Sequence, residues 1–123
     1  MEALIIKKTN DTPGIVFDPA SNLFEISHRS LPEDANGFYE PVFQWLSEFI
    51  DNPLPVVNFI FNMEYFNTAS AKQIAKILLY LDKLSQKSDV TIFWKYKKED
   101  SDMQAAGLRY SKLLNVKFLL QEA

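Results

Sequence analysis

Few side chains in this chain are equipped for chemistry, and their spacing excludes most kinds of it. There is one histidine, His28, and no cysteine. That rules out a multi-histidine metal site, thiolate catalysis, cysteine-ligated zinc and disulfides. A Ser–His–acid triad would have to join His28 to Ser27, Ser30 or a distant serine. None of these stands in the strained Gly-x-Ser-x-Gly turn that exposes a nucleophile. Glu99, Asp100 and Asp102 fall where a helix is predicted to begin, and the macrodipole favours negative charge there. They read as helix-end charges, not as a hydrolytic pair or a calcium or magnesium site. The expectation is a protein that is not an enzyme and that needs no cofactor or metal.

The segment that stands out is Glu64-Tyr65-Phe66-Asn67-Thr68-Ala69-Ser70. Its local pattern is that of a helix start, in which Asn67, Thr68 or Ser70 can accept from the free amides of the first turn. Capping and switching are compatible roles. A hydroxyl at a helix N-terminus is an exposed site for phosphorylation, and the dipole and free N–H groups can hold the added charge. Tyr65 and Phe66 have the chemistry of partner anchors, with core packing as the alternative for Phe66.

The elements around this segment must position it. Residues 3–7, 14–18 and 23–27 read as short strands, the second and third forming a hairpin across the turn at Asp18-Pro19-Ala20-Ser21-Asn22. Ser30-Leu31-Pro32-Glu33 has capping-box spacing and predicts a helix after it. Phe38, Val42, Trp45 and Phe49 form that helix's apolar stripe. Pro41 predicts a kink or restart, and Asn52-Pro53 an end. Residues 56–65 form the most apolar strand, with Val57, Phe59, Phe61 and Met63 on one face. A regular amphipathic helix follows over 69–85, with Ile74, Ile77, Leu78 and Leu81 inward. A strand over 89–96 comes next. A helix capped at Asp100 or Ser101 then points Met103, Ala106, Tyr110 and Leu113/Leu114 inward. An edge strand over 116–120 closes the chain.

The order is βββαβαβαβ: an α/β fold with a mixed β-sheet and helices mainly on one face. The 123 residues suffice for one domain, spanning 1–123. If strands 23–27 and 56–65 are parallel neighbours, the loops after them meet. Arg29 or His28 would then approach a phosphate on Thr68; otherwise both are solvated loop residues.

Composition narrows the partners. The net charge is −3, with basic and acidic residues interspersed, so nucleic acid is not expected. Lys95, Lys97 and Lys98 run straight into Glu99 and Asp100 and do not make a membrane patch. The apolar run Ala3–Ile6 is too short for a signal peptide or a membrane helix. A cytoplasmic location with no membrane partner is the expectation.

The run Glu64–Ser70 resembles the phosphorylation motif of the SiaC family, relatives of the STAS-domain anti-anti-sigma factors. So does Phe24-Glu25-Ile26-Ser27-His28-Arg29-Ser30-Leu31-Pro32-Glu33, followed by Phe38-Tyr39-Glu40-Pro41. The likeness continues through Val90–Tyr96, Glu99-Asp100-Ser101-Asp102-Met103 and the last strand, covering essentially the whole chain. It implies a STAS-like fold and a regulatory phosphoprotein of a bacterial partner-switching system. It also implies that Thr68 is phosphorylated by a cognate Ser/Thr kinase and dephosphorylated by a PP2C-type phosphatase. The unphosphorylated form would bind an effector such as a diguanylate cyclase, a link to cyclic di-GMP and biofilm control. The alternative output is an anti-anti-sigma factor that binds an anti-sigma kinase. Glu64, Tyr65, Phe66, Asn67, Ser70, His28 and Arg29 are the expected partner-binding residues. The departure from the pattern is His28, where a small residue, often glycine, is expected.

Overall fold

Alternating apolar residues build the sheet. In a computed structural model describing residues 1–123, the strands are β1 (Leu4–Ile6), β2 (Gly14–Asp18), β3 (Leu23–Ser30), β4 (Val56–Phe66), β5 (Asp89–Tyr96) and β6 (Lys117–Glu122). They lie side by side in chain order as one six-stranded sheet. β1, β2 and β3 pair antiparallel; β3, β4, β5 and β6 pair parallel. The mixed sheet and the β2–β3 hairpin are as the sequence predicts.

One face of this sheet is covered. Ile15 and Phe17 of β2, Phe24 and Ile26 of β3, Val57, Phe59, Phe61 and Met63 of β4, and Val90, Ile92 and Trp94 of β5 are all buried. They share one core with the apolar stripes of α1 (Ala35–Asp51), α2 (Thr68–Leu84) and α3 (Ser101–Leu113). The alternate residues of each strand, which face the other way, are exposed or half-buried. The three helices therefore occupy a single face, and the other lies open.

Three local expectations are corrected. Ser30 is not the cap of α1: β3 runs on through it, and Asp34 caps the helix by accepting from the Gly37 amide at 3.1 Å. Helix α1 does not restart at Pro41, which lies exposed in the second turn. There its ring gives up one bond to the Gly37 carbonyl and projects to solvent. Leu113 is 78% exposed, because α3 ends at it, while Leu114 packs against the core.

Helix α3 is held by Trp94. This fully buried indole donates from Nε1 to the Met103 carbonyl at 3.0 Å and lies flat against Gly107. It also meets the Phe61 ring at a tilt and stacks on Phe118, so it joins α3 to the middle and the edge of the sheet.

Candidate functional site

The parallel pairing of β3 with β4 brings their carboxyl ends together, and a slip in that pairing shapes what they present. His28 pairs with Met63, but Arg29 pairs with Tyr65, so Glu64 is left without a partner. His28 takes up the mismatch in the left-handed region, at φ 75°. Beyond the slip the inward positions of β4 change parity. Phe66 turns into the core and meets Trp94 edge-on at 6.2 Å, whereas Tyr65 is 49% exposed. Arg29 lies over the Tyr65 ring, 5.9 Å from its centroid, and pairs with Glu64 at 3.8 Å. Both members of that ion pair are about half exposed, so it orients side chains more than it stabilises the fold.

Behind this surface a buried chain of hydroxyls ties three elements together. Ser30 Oγ donates to Ser70 Oγ at 2.8 Å and lies 2.6 Å from the Tyr39 hydroxyl. A serine hydroxyl has one proton, so Tyr39 is the donor to Ser30. All three residues are fully buried. Burial pushes the Tyr39 pKa up to about 12, the Ser30 hydrogen bond opposing it, so the phenol is a neutral donor at physiological pH. The backbone joins in: the Asn67 amide donates to the Ser30 carbonyl at 3.1 Å. The first turn of α2 is thereby fixed to the end of β3 and to α1. Asn36 on α1 and Gln73 on α2 add a side-chain bond of 2.7 Å beside it.

Helix α2 begins with Thr68. Asn67 caps it, its side chain accepting from the Ser70 amide at 2.9 Å. The amides of Thr68 and Ala69 remain the free donors of the first turn, which has no acidic residue. The Thr68 side chain is exposed and makes no hydrogen bond within the protein. Of the three polar residues the sequence offers as caps, Asn67 takes the role. Ser70 is enclosed, and Thr68 is free.

The expected partner-binding residues thus divide. Arg29, Glu64 and Tyr65 form one exposed cluster at the ends of β3 and β4. Glu64, Tyr65 and Phe66 line a shallow cleft of about 240 Å³ against Asp102, Met103 and Arg109 of α3. His28 stands beside this cluster, its Nδ1 2.7 Å from Ser27 Oγ, and shares a depression of about 410 Å³ with Arg29 and Glu64. Asn67 and Ser70 are engaged in holding the helix start. Arg29 and His28 make their contacts with Glu64, Tyr65 and Ser27, not with Thr68. Sequence reasoning missed the structural part of Ser30 and Tyr39. The available signal was Asp34, a better cap candidate that follows Pro32 and precedes Gly37 by three residues.

A mixed six-stranded sheet in chain order with its three helices on one face is an α/β single domain with the element order that the sequence predicts. The chain belongs to the SiaC family: the model of the SiaC family regulatory phosphoprotein matches residues 6–123. In structure the chain is similar to apo-SiaC from Pseudomonas aeruginosa, with a TM-score of 0.89 and 23% identity, over 98% of this chain and 99% of that one. It is likewise similar to a chain in the crystal structure of the diguanylate cyclase SiaD in complex with its activator SiaC, from the same organism. There the TM-score is 0.90 at 22% identity, over 98% of this chain and 99% of that one. At such identities the likeness shows the shared fold. No curated protein matches the chain in sequence. No helix is long and apolar enough to cross a membrane.

Proposed function

We propose that this chain is a non-enzymatic, cytoplasmic partner-switching protein, and that phosphorylation of Thr68 releases its effector. A cognate Ser/Thr kinase and a PP2C-type phosphatase set the state of Thr68. The unmodified form binds the effector, which by the family's pattern is a diguanylate cyclase. The P. aeruginosa SiaC seen with SiaD as its activator supports that choice of effector. The observation that carries the reading is the contrast between two hydroxyls in one helical turn. Thr68 is exposed and unbonded, whereas Ser70 is fully buried and bonded to Ser30.

A phosphoryl group adds about −1.5 to −2 charges. At a helix N-terminus with free amides, that charge is worth roughly 0.3–1 kcal/mol in favour of the fold. The domain therefore stays folded, and the effect falls on the interface. A partner seated on Tyr65, Glu64 and the start of α2 would have to bury a dianion, at a cost of several kcal/mol on the order set by other unpaired buried charges.

The test is phosphosite mapping of protein purified from its own cells, together with titration of the purified effector against Thr68→Ala and Thr68→Glu. Thr68→Ala should keep wild-type affinity. Thr68→Glu should lose about a hundredfold or more, roughly 2.7 kcal/mol, with an unchanged melting curve. Phosphate found only on other residues, or wild-type affinity in Thr68→Glu, refutes the reading. Recovery of an anti-sigma kinase in place of a cyclase would assign the other output.

A further inference from the structure

The strand register lines up one residue from each strand across the open face: Ile5, Val16, Glu25, Ile60, Phe93 and Leu119 are successive pairing partners. Five of the six are apolar. Ile5 is 57% exposed and Leu119 43%, while Val16, Ile60 and Phe93 are half-buried. The rows on either side are mainly polar: Asp18, Asn58, Thr91 and Lys117 on one, with Leu23 its single apolar member, and Ser27, Asn62, Lys95 and Gln121 on the other. The face is therefore not a general apolar surface. It carries one apolar line running across the strands, widened by Leu23 where it passes Glu25.

We infer that this line is a docking site for one amphipathic helix of a partner protein, laid across the sheet opposite α2, with a lysine or arginine in the middle of its apolar stripe. The width decides against a second copy. With two side chains about half exposed and three mostly covered, the line offers on the order of 300 Å² of apolar surface, a size at which patches are functional. A stable protein pair buries about 800 Å² on each side, and a second sheet stacked here would also bury the polar rows. A helix touches a surface along one line. Five strand spacings of about 4.8 Å give roughly 24 Å, the length of about 16 helical residues at 1.5 Å each. Charge supplies the rest of the recognition. Glu25 sits third in the line with no cation beside it, since the one ion pair in the chain is Arg29 with Glu64. A helix covering Glu25 must bring a cation to it. Lys117 on β6, flanking the Leu119 end, asks for an acidic residue at that end of the helix and so fixes its direction.

This inference does not rest on the Thr68 reading, because the line lies on the other face of the sheet. It is tested with isotope-labelled full-length protein and two synthetic 16-residue amphipathic helical peptides. The peptides are identical except for lysine or glutamate at the centre of the apolar stripe. Amide shifts should concentrate on the Ile5–Leu119 line. The lysine peptide should bind about tenfold more tightly than the glutamate one. Glu25→Lys should reverse that order, and Glu25→Gln should abolish the preference. Equal affinities, shifts centred on another surface, or no binding of either peptide would overturn the inference. So would a dimer in sedimentation that Leu119→Lys dissociates, which would give the face to a second copy.

Discussion

Ser30 tests the difference between a helix cap and a buried junction. If it capped α1, Ser30→Ala would cost about 1 kcal/mol, and Ser30→Asp, an equally good cap, would be close to neutral. The structure predicts otherwise. Ser30 is fully buried, receives the Tyr39 hydroxyl at 2.6 Å and donates to Ser70 at 2.8 Å. Alanine in its place leaves two buried hydroxyls without that partner. Each such group costs roughly 1–3 kcal/mol, so Ser30→Ala should lose about 2–6 kcal/mol, a large share of the ~5–15 kcal/mol that holds a domain together. Ser30→Asp should be at least as damaging, because it adds a charge where only neutral hydroxyls stand. Equilibrium urea unfolding followed by circular dichroism gives the numbers, provided the slope with denaturant is unchanged. Tyr39→Phe completes a cycle: in that background the additional loss from Ser30→Ala should shrink by about 1 kcal/mol or more, as coupled neighbours do. A Ser30→Asp variant within about 0.5 kcal/mol of wild type would refute the buried junction and restore the cap.

Two backbone positions give further tests. His28 is held at φ 75°, which costs a side-chain-bearing residue about 1–2 kcal/mol, while glycine's added freedom in the unfolded chain returns about 0.4–1 kcal/mol. His28→Gly should therefore be neutral to about 1 kcal/mol more stable and His28→Val clearly less stable; a loss above ~1 kcal/mol in His28→Gly would show that the side chain, not the backbone, governs the site. Gly107→Ala sets helix propensity, a gain of about 1 kcal/mol, against a new Cβ only 2.7 Å from Trp94 Nε1. Overpacking at about 1–3 kcal/mol should win, lowering the melting temperature and shifting Trp94 fluorescence, and a raised melting temperature would show that the indole yields freely.

What could be read from the sequence is what depends on periodicity. Val57, Phe59, Phe61 and Met63 alternate, Ile74, Ile77, Leu78 and Leu81 recur at helical spacing, and neither pattern has a close competitor, so the central strand and its helix were legible. The helix start at Asn67-Thr68-Ala69-Ser70 was legible for a related reason, since a cap-rich segment between a buried strand and a regular helix has one place to be, but the pattern left open which of Asn67, Thr68 and Ser70 caps and which stays free. What was not legible depends on register. A one-residue slip opposite Glu64 decides that Tyr65 faces out and Phe66 in, and no local pattern distinguishes two adjacent aromatics at a strand end. Ser30 failed for the opposite reason. Its spacing to Glu33 fits a capping box, but β3 continues through it, and long-range partners on α1 and α2 outbid the local motif. His28 lies between these cases. The resemblance asked for a small residue there, and the positive φ supplies the physical reason.

The buried junction also bears on how a phosphate at Thr68 would act under the proposed function. Some switches work by ordering or melting a segment. Here the first turn of α2 is fastened at three points: the Asn67 amide to the Ser30 carbonyl, the Asn67 side chain to the Ser70 amide, and Ser70 Oγ to Ser30 Oγ. Two of these reach across to β3, and the last is continued to α1 through Tyr39. A modification that gains only a few tenths to 1 kcal/mol from the helix dipole has little leverage against such a set. It has no need of leverage if the backbone stays put, because a rigid helix start presents the new charge at a fixed place on the surface, at the exposed first residue of α2. The burial of Ser70 then has a second consequence. It removes the competing hydroxyl from any kinase's reach while using it to hold the neighbouring one in position. On this geometry the switch is a change of surface charge on an unmoving frame, and Ser70→Ala should loosen the frame without removing the phosphosite.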